Sequence, residues 1–199
     1  MKITWRAACG LALTTLMAGC GGGSGNDTPY AVATAWNDLI APSAVRTILA
    51  SGRGSDGNDY ALELRFTPLG DSAYPKSGAA AQRTDQRVSV SVNGGAPVVA
   101  LQSLYYTGAA QLIGASADDG SCSDIVTTLP PETARIGDSG ALYSATDYGS
   151  CASGDTTVTS RSSARWSLDD IGGTAYFCVN YSYRDASNDP EGTESDCVE

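Results

Sequence analysis

The chain has 199 residues, with 12 basic and 22 acidic side chains, no histidine and a formal net charge of −10. Such a balance excludes nucleic acid as a natural partner, because affinity for a phosphate backbone rests on lysine and arginine. Imidazole-based catalysis lacks its residue, and the length favours one domain.

The first thirty residues read as a leader and a leash. Lys2 and Arg6 make a positive start, and the apolar run from Ala7 to Ala18 is too short to span a bilayer as a helix. This pattern predicts a signal peptide over residues 1–19. The stretch "LMAGC" that ends in Cys20 resembles the lipobox of bacterial lipoprotein precursors, with Met17 where leucine is commoner. The resemblance implies cleavage before Cys20 and acylation of its thiol. Gly21, rather than an aspartate, then implies sorting to the outer membrane of a Gram-negative cell, facing either the periplasm or the cell surface. The alternative is a secreted protein cut nearer Ala18. Each buried acyl methylene contributes about 0.8 kcal/mol, so several chains hold a soluble domain at a membrane without any apolar face of its own. Residues 20–28 then form the lipidated cysteine and a Gly/Ser tether with a span of roughly 15–20 Å. Residues 29–199 form a single β-rich domain.

Without Lys2 and Arg6 the mature chain sets 10 basic residues against 22 acidic ones, a net charge of 10 − 22 = −12. Its core-forming supply is thin: Leu, Ile, Val and Phe total 30 of 180 residues from Cys20 onward, a fraction that with this charge approaches the composition of disordered chains. Ten tyrosines add area that can be buried. Cys122, Cys151, Cys178 and Cys197 add two cross-links of about 2–4 kcal/mol each in an oxidising compartment. No Cys-x-x-Cys spacing accompanies them, which argues against a zinc site.

Along the chain, "DTPYAVATAWNDLIAP" predicts one short helix capped by Asp27 or Thr28, with Pro29 in its first turn. Val32, Trp36, Leu39 and Ile40 share its apolar stripe, and Pro42 ends it. The period then changes to two. "VRTILASG" opens a hairpin-like stretch; Leu62, Leu64 and Phe66 alternate with polar residues; Val88, Val90 and Val92 do the same and run into the hairpin signal Asn93-Gly94. "PVVALQSLYY", "DIVTTL", "ALYSATDY", "TVTSRSSARWSL" and "TAYFCVNYSYR" follow at similar intervals. The segment "GDSAYPKSGAAAQRTD" reads as a long polar loop. The expected fold is all-β, an antiparallel sandwich or partly open barrel of nine or ten strands, with one short N-terminal helix and two disulfides.

Four cysteines allow three pairings, and a terminal hairpin selects one. If "TAYFCVNYSYR" pairs antiparallel with "EGTESDCVE", Cys178 and Cys197 face each other about a midpoint within "DASNDPEG", where Asn188, Asp189, Pro190 and Gly192 supply turn chemistry. Cys122–Cys151 follows by elimination.

The stretch "IGDSGALY", residues 136–143, matches the nucleophile loop of trypsin-like serine proteases as far as Gly140. A catalytic Ser139 needs a base, and none is placed for it: histidine is absent, and Lys76 does not give the S-x-x-K spacing. The stretch therefore reads as a turn in which Asp138 bonds neighbouring amides. No catalytic residue and no cofactor is assigned.

The 17 aspartates cluster in Gly-containing turns, and the one loop whose carboxylates could offer calcium ligands holds Asp185, Asp189 and Glu191. Tyr105, Tyr106, Tyr181 and Tyr183 could stack on sugars. Alternation places Tyr181 and Tyr183 on one face with Phe177 and Val179, which reads more simply as core. The segments "LPPETARIGDSGALYSATDYGSC", "ARWSLDD" and "FCVNYSY" within residues 129–199 resemble uncharacterised proteobacterial lipoproteins, which implies an envelope location and a β-rich fold but no activity. The reading is a lipid-anchored envelope protein with a non-catalytic structural or interaction role, its protein or glycan partner unknown. Carbohydrate or calcium binding is the alternative, and hydrolysis the third.

Overall fold

A computed structural model describes residues 28–53, 57–108 and 110–198. The leader, Cys20, most of the tether and the Asp27 cap lie outside the described residues. Ten strands follow the one helix among them, α1 (Val32–Ile40): β1 (Arg46–Arg53), β2 (Asp59–Ala73), β3 (Ala80–Val92), β4 (Val98–Thr107), β5 (Gln111–Ala117), β6 (Cys122–Thr127), β7 (Ser139–Tyr148), β8 (Val158–Ile171), β9 (Thr174–Asp185) and β10 (Pro190–Val198). Each strand pairs antiparallel with its neighbour in the chain, so one sheet runs from β1 to β10 in sequence order and those two strands are its edges. The fold is all-β and antiparallel, as the alternating pattern implies.

Alternation sorts the side chains onto two faces. On the inner face, Leu104, Leu112, Leu142, Trp166, Leu168, Phe177 and Val179 pack with Val32, Trp36 and Ile40 of α1. Trp36 Nε1 donates to the Ala110 carbonyl at 3.1 Å, which satisfies the indole where it is buried. Ile48, Leu62, Phe66 and Val88 make a second cluster, placed on the same face by the register that sets Leu64 opposite both Ile48 and Val88. On the outer face, Tyr74, Ala81, Tyr105 and Cys122 make a third.

The helix starts later than its sequence signals suggest. Tyr30 exchanges backbone hydrogen bonds with Ala134 at 2.8 and 3.0 Å, which holds Thr28 to Tyr30 outside the helix. The N-cap is Ala31, without a side-chain cap. The expected polar loop over 70–85 is also corrected: β2 continues to Ala73 and β3 begins at Ala80, past a bulge between Pro68 and Gly70. Tyr74 causes this extension. Its ring is 2% exposed, a Cβ on Gly114 would fall inside it, and its hydroxyl lies 2.9 Å from both the Ser123 carbonyl and Asp124 Oδ1. The hairpin tip is thus pinned to β5 and β6. Burial and then the Asp124 hydrogen bond push the Tyr74 phenol well above its usual pKa.

Both disulfides form as the terminal hairpin requires. Cys178 and Cys197 are direct cross-strand partners with Cα atoms 4.0 Å apart, and Cys122–Cys151 ties the start of β6 to the loop after β7. Asn188 has φ 72°, supplying the left-handed residue of the turn between β9 and β10.

Candidate functional site

Ser139 opens β7 opposite Ser167 and is exposed. The turn precedes it. Asp138 Oδ2 accepts the Arg135 amide at 2.8 Å, and Gly137, at φ 94°, donates its amide to the Leu168 carbonyl at 2.8 Å. Gly140 faces inward opposite Trp166, and a Cβ there would stand 2.7 Å from the indole nitrogen. The glycine that would follow a nucleophile in a protease serves here to admit a tryptophan. Asp138, the acid beside Ser139, is thus committed to the turn amide rather than to the Ser139 hydroxyl.

The loop carboxylates proposed for calcium divide between turn bonding and the sheet edge. Asp185 Oδ1 accepts the Asp189 amide at 2.8 Å, while the Asp185 amide donates to the Asp189 carbonyl at 3.0 Å. Pro190 and Glu191 already belong to β10. Among the described residues, the group with ligating atoms within 4.8 Å of one another is Asp169, Cys178 and Cys197, and both its sulfurs are consumed by the disulfide.

The sheet separates Tyr105, on the outer face, from Tyr106, Tyr181 and Tyr183 on the inner one. Tyr105 and Tyr106 are 5% and 7% exposed, on opposite faces, and offer no platform. Tyr181 and Tyr183 extend the inner face, as the alternation predicts, with ring centroids 6.2 Å apart and planes within 11°. Tyr143 joins them, tilted at 60° and 6.4 Å from Tyr181.

Against this tyrosine row lie two carboxylates that composition did not single out. Glu194 is the cross-strand partner of Tyr181, and Asp196 that of Val179. Tyr183 Oη donates to Glu194 Oε2 at 3.0 Å. Burial, reinforced by the charge of Glu194, pushes the Asp196 carboxyl up to about 7. Burial first and then neighbouring acids or phenols hold Tyr143 and Tyr181 above the normal phenol range, so both stay neutral donors. Nearby, Asp147 accepts Ser123 Oγ and Ser160 Oγ, each at 2.6 Å, linking β6, β7 and β8.

A carboxyl that titrates near neutrality suits general acid catalysis, and Asp196 has Glu194 beside it on the same face of β10. A glycosidase uses two carboxyl groups about 5–9.5 Å apart; Glu194 and Asp196 stand two residues apart on one face of the edge strand, and the Tyr183 hydroxyl holds Glu194. The signal for them was in the sequence, since the register that pairs Cys178 with Cys197 also places Glu194 against Tyr181. Comparison with protein-family models, curated proteins and solved structures returns no match to this chain.

Proposed function

We propose that the chain is a lipid-anchored cell-envelope protein whose β-domain has a non-catalytic structural or interaction role at the outer membrane. The observation that carries this reading is the pairing of the cysteines. Cys122 is bonded to Cys151 and Cys178 to Cys197, so the domain leaves no thiol to claim Cys20. Cys9 departs with the leader, and Cys20 is then the cysteine available to carry acyl chains. Two disulfides suit an oxidising compartment. A non-catalytic role is supported by the Asp138 carboxylate being held in the turn rather than by Ser139, and by the Tyr183 hydroxyl bond that occupies Glu194.

The test is fractionation of the producing cell with labelled palmitate. Wild type should incorporate label and sediment with outer membranes; Cys20→Ser should lose the label and appear in the soluble fraction. An unlabelled wild type, or a Cys20→Ser variant that stays in the membrane, overturns the anchor.

A further inference from the structure

On the sheet face away from α1, β2 to β5 floor an open concavity of about 510 Å³ whose lining includes Arg65, Arg83, Asp85, Arg87, Ser103 and Asp118. Arg83, Asp85 and Arg87 share one face because they alternate along β3. Arg83 forks onto Asp85, Nε to Oδ1 at 2.7 Å and Nη2 to Oδ2 at 3.0 Å, and Ser103 Oγ donates to the same carboxylate at 2.8 Å. Arg87 Nη1 donates to Glu63 Oε1 at 3.2 Å. Arg65 is the direct cross-strand partner of Arg87. Its exposed side chain has no hydrogen bond or ion pair among the described residues.

Like charges placed directly opposite each other cost stability. Sheet formation has no use for the pair, in a chain with 12 basic residues against 22 acidic. The neighbouring carboxylates do not relieve Arg65: Asp85 is taken by Arg83 and Ser103, Glu63 by Arg87, and Asp118, which also lines the concavity, makes no ion pair with Arg65. A bound oxyanion would: a guanidinium presents a planar fork of donors that matches two oxygens of a carboxylate or phosphate.

We propose that Arg65 and Arg87 form an oxyanion-binding site, which takes a carboxylate or phosphate group between the two guanidinium groups, with the Arg83–Asp85–Ser103 network as its ordered wall. The site gives the interaction role suggested above a ligand chemistry, and it does not depend on acylation, so its failure leaves the anchor untouched and the reverse also holds.

The test is titration of the full chain in detergent with inorganic phosphate, with galacturonic acid and with galactose, read by calorimetry and by the arginine Nε–Hε resonances. The expected result is saturable binding of phosphate, galacturonic acid or both, weakening as salt is raised, and no binding of galactose. Phosphate alone identifies a phosphate source, and galacturonic acid alone a sugar-borne carboxylate. Arg65→Gln and Arg87→Gln should each weaken binding by about tenfold, the cost of one charge-assisted hydrogen bond. Arg135→Gln, which removes the same charge from the turn before β7, should leave it unchanged. Arg65→Gln should also melt no lower than wild type, because it removes a like-charge pair. Absence of binding by both anions, equal binding of galactose, equal loss in Arg135→Gln, or a lower melting temperature for Arg65→Gln overturns the site.

Discussion

In the protease-like stretch the residue that matters to folding is Gly140. Its hydrogen faces the Trp166 indole, and a methyl group in its place would lie 2.7 Å from Nε1, inside contact distance with a ring that is 4% exposed. Gly140→Ala should therefore destabilise the domain by about 1–3 kcal/mol, the usual cost of overpacking a core, with a change in tryptophan emission. Ser139 is exposed and tied to nothing that the fold needs, so Ser139→Ala should stay within about 0.5 kcal/mol of wild type. Urea denaturation of both variants measures the contrast. A fluorophosphonate probe supplies the second arm: labelling that disappears in Ser139→Ala would show a reactive serine and end the turn interpretation. Motif matching ranks these two residues the opposite way, because it reads identity and not what stands across the strand.

At the scale of elements, the strands with clean alternation were legible, among them the Leu62–Leu64–Phe66 and Val88–Val90 faces that meet across β2 and β3. Two pieces were not. The 70–85 segment looks like a loop because Tyr74 is its only large apolar side chain, and the contact that makes it a hairpin is with Gly114 in another strand. That strand, "QLIGASA", is itself weakly marked, since the glycine and alanines that leave room for neighbours have poor strand propensity. Missing this hairpin also hid the Arg65–Arg87 pair, whose register follows only once β2 and β3 run on to Ala73 and Ala80. The β9–β10 hairpin was legible, and it carries a pH dependence through Asp196. Burial and Glu194 raise that carboxyl from 3.8 to about 7. Between those values the folded chain holds a proton that the unfolded chain releases. Stability should therefore fall as pH rises from about 4 to about 7, by up to about 1.4 kcal/mol per unit, and change no further from this source above that. Asp196→Asn should remove that slope and be more stable than wild type at pH 8, with the advantage vanishing toward pH 4. Urea midpoints at intervals across this range decide it, and a variant that tracks wild type at every pH sinks the assignment.

For the whole molecule the question is what holds so thin a core together. The sheet runs in chain order, so each strand leans on its sequence neighbours, and its apolar residues are divided among three clusters rather than one. The disulfides act at two of the weak points of this arrangement. Cys178–Cys197 fastens the edge strand β10, whose residues are exposed or half-buried along its length. Cys122–Cys151 closes the outer-face cluster beside Tyr74 and Tyr105. The chain-entropy contribution does not separate them: sequence separations of 19 and 29 differ by only about 0.4 kcal/mol on the logarithmic rule. Position does. Cys122 is buried at 2% exposure and Cys178 at 0%, but Cys197 and Cys151 are half-buried, so either bridge can be approached from one side. At about 2–4 kcal/mol each, the pair supplies a large share of the 5–15 kcal/mol typical of a folded domain. Full reduction should lower the melting temperature steeply and bring the chain close to its unfolding threshold at 37 °C. The single-bridge variants should separate by location. Cys178→Ala with Cys197→Ala should free β10 first, seen as fast amide exchange confined to β10 and the adjoining β9. Cys122→Ala with Cys151→Ala should instead loosen the Tyr74 hairpin tip together with β5 and β6. Hydrogen exchange on the two variants tests this division, and uniform loss of protection in both would mean that the sheet melts as one unit and that the bridges do not act locally.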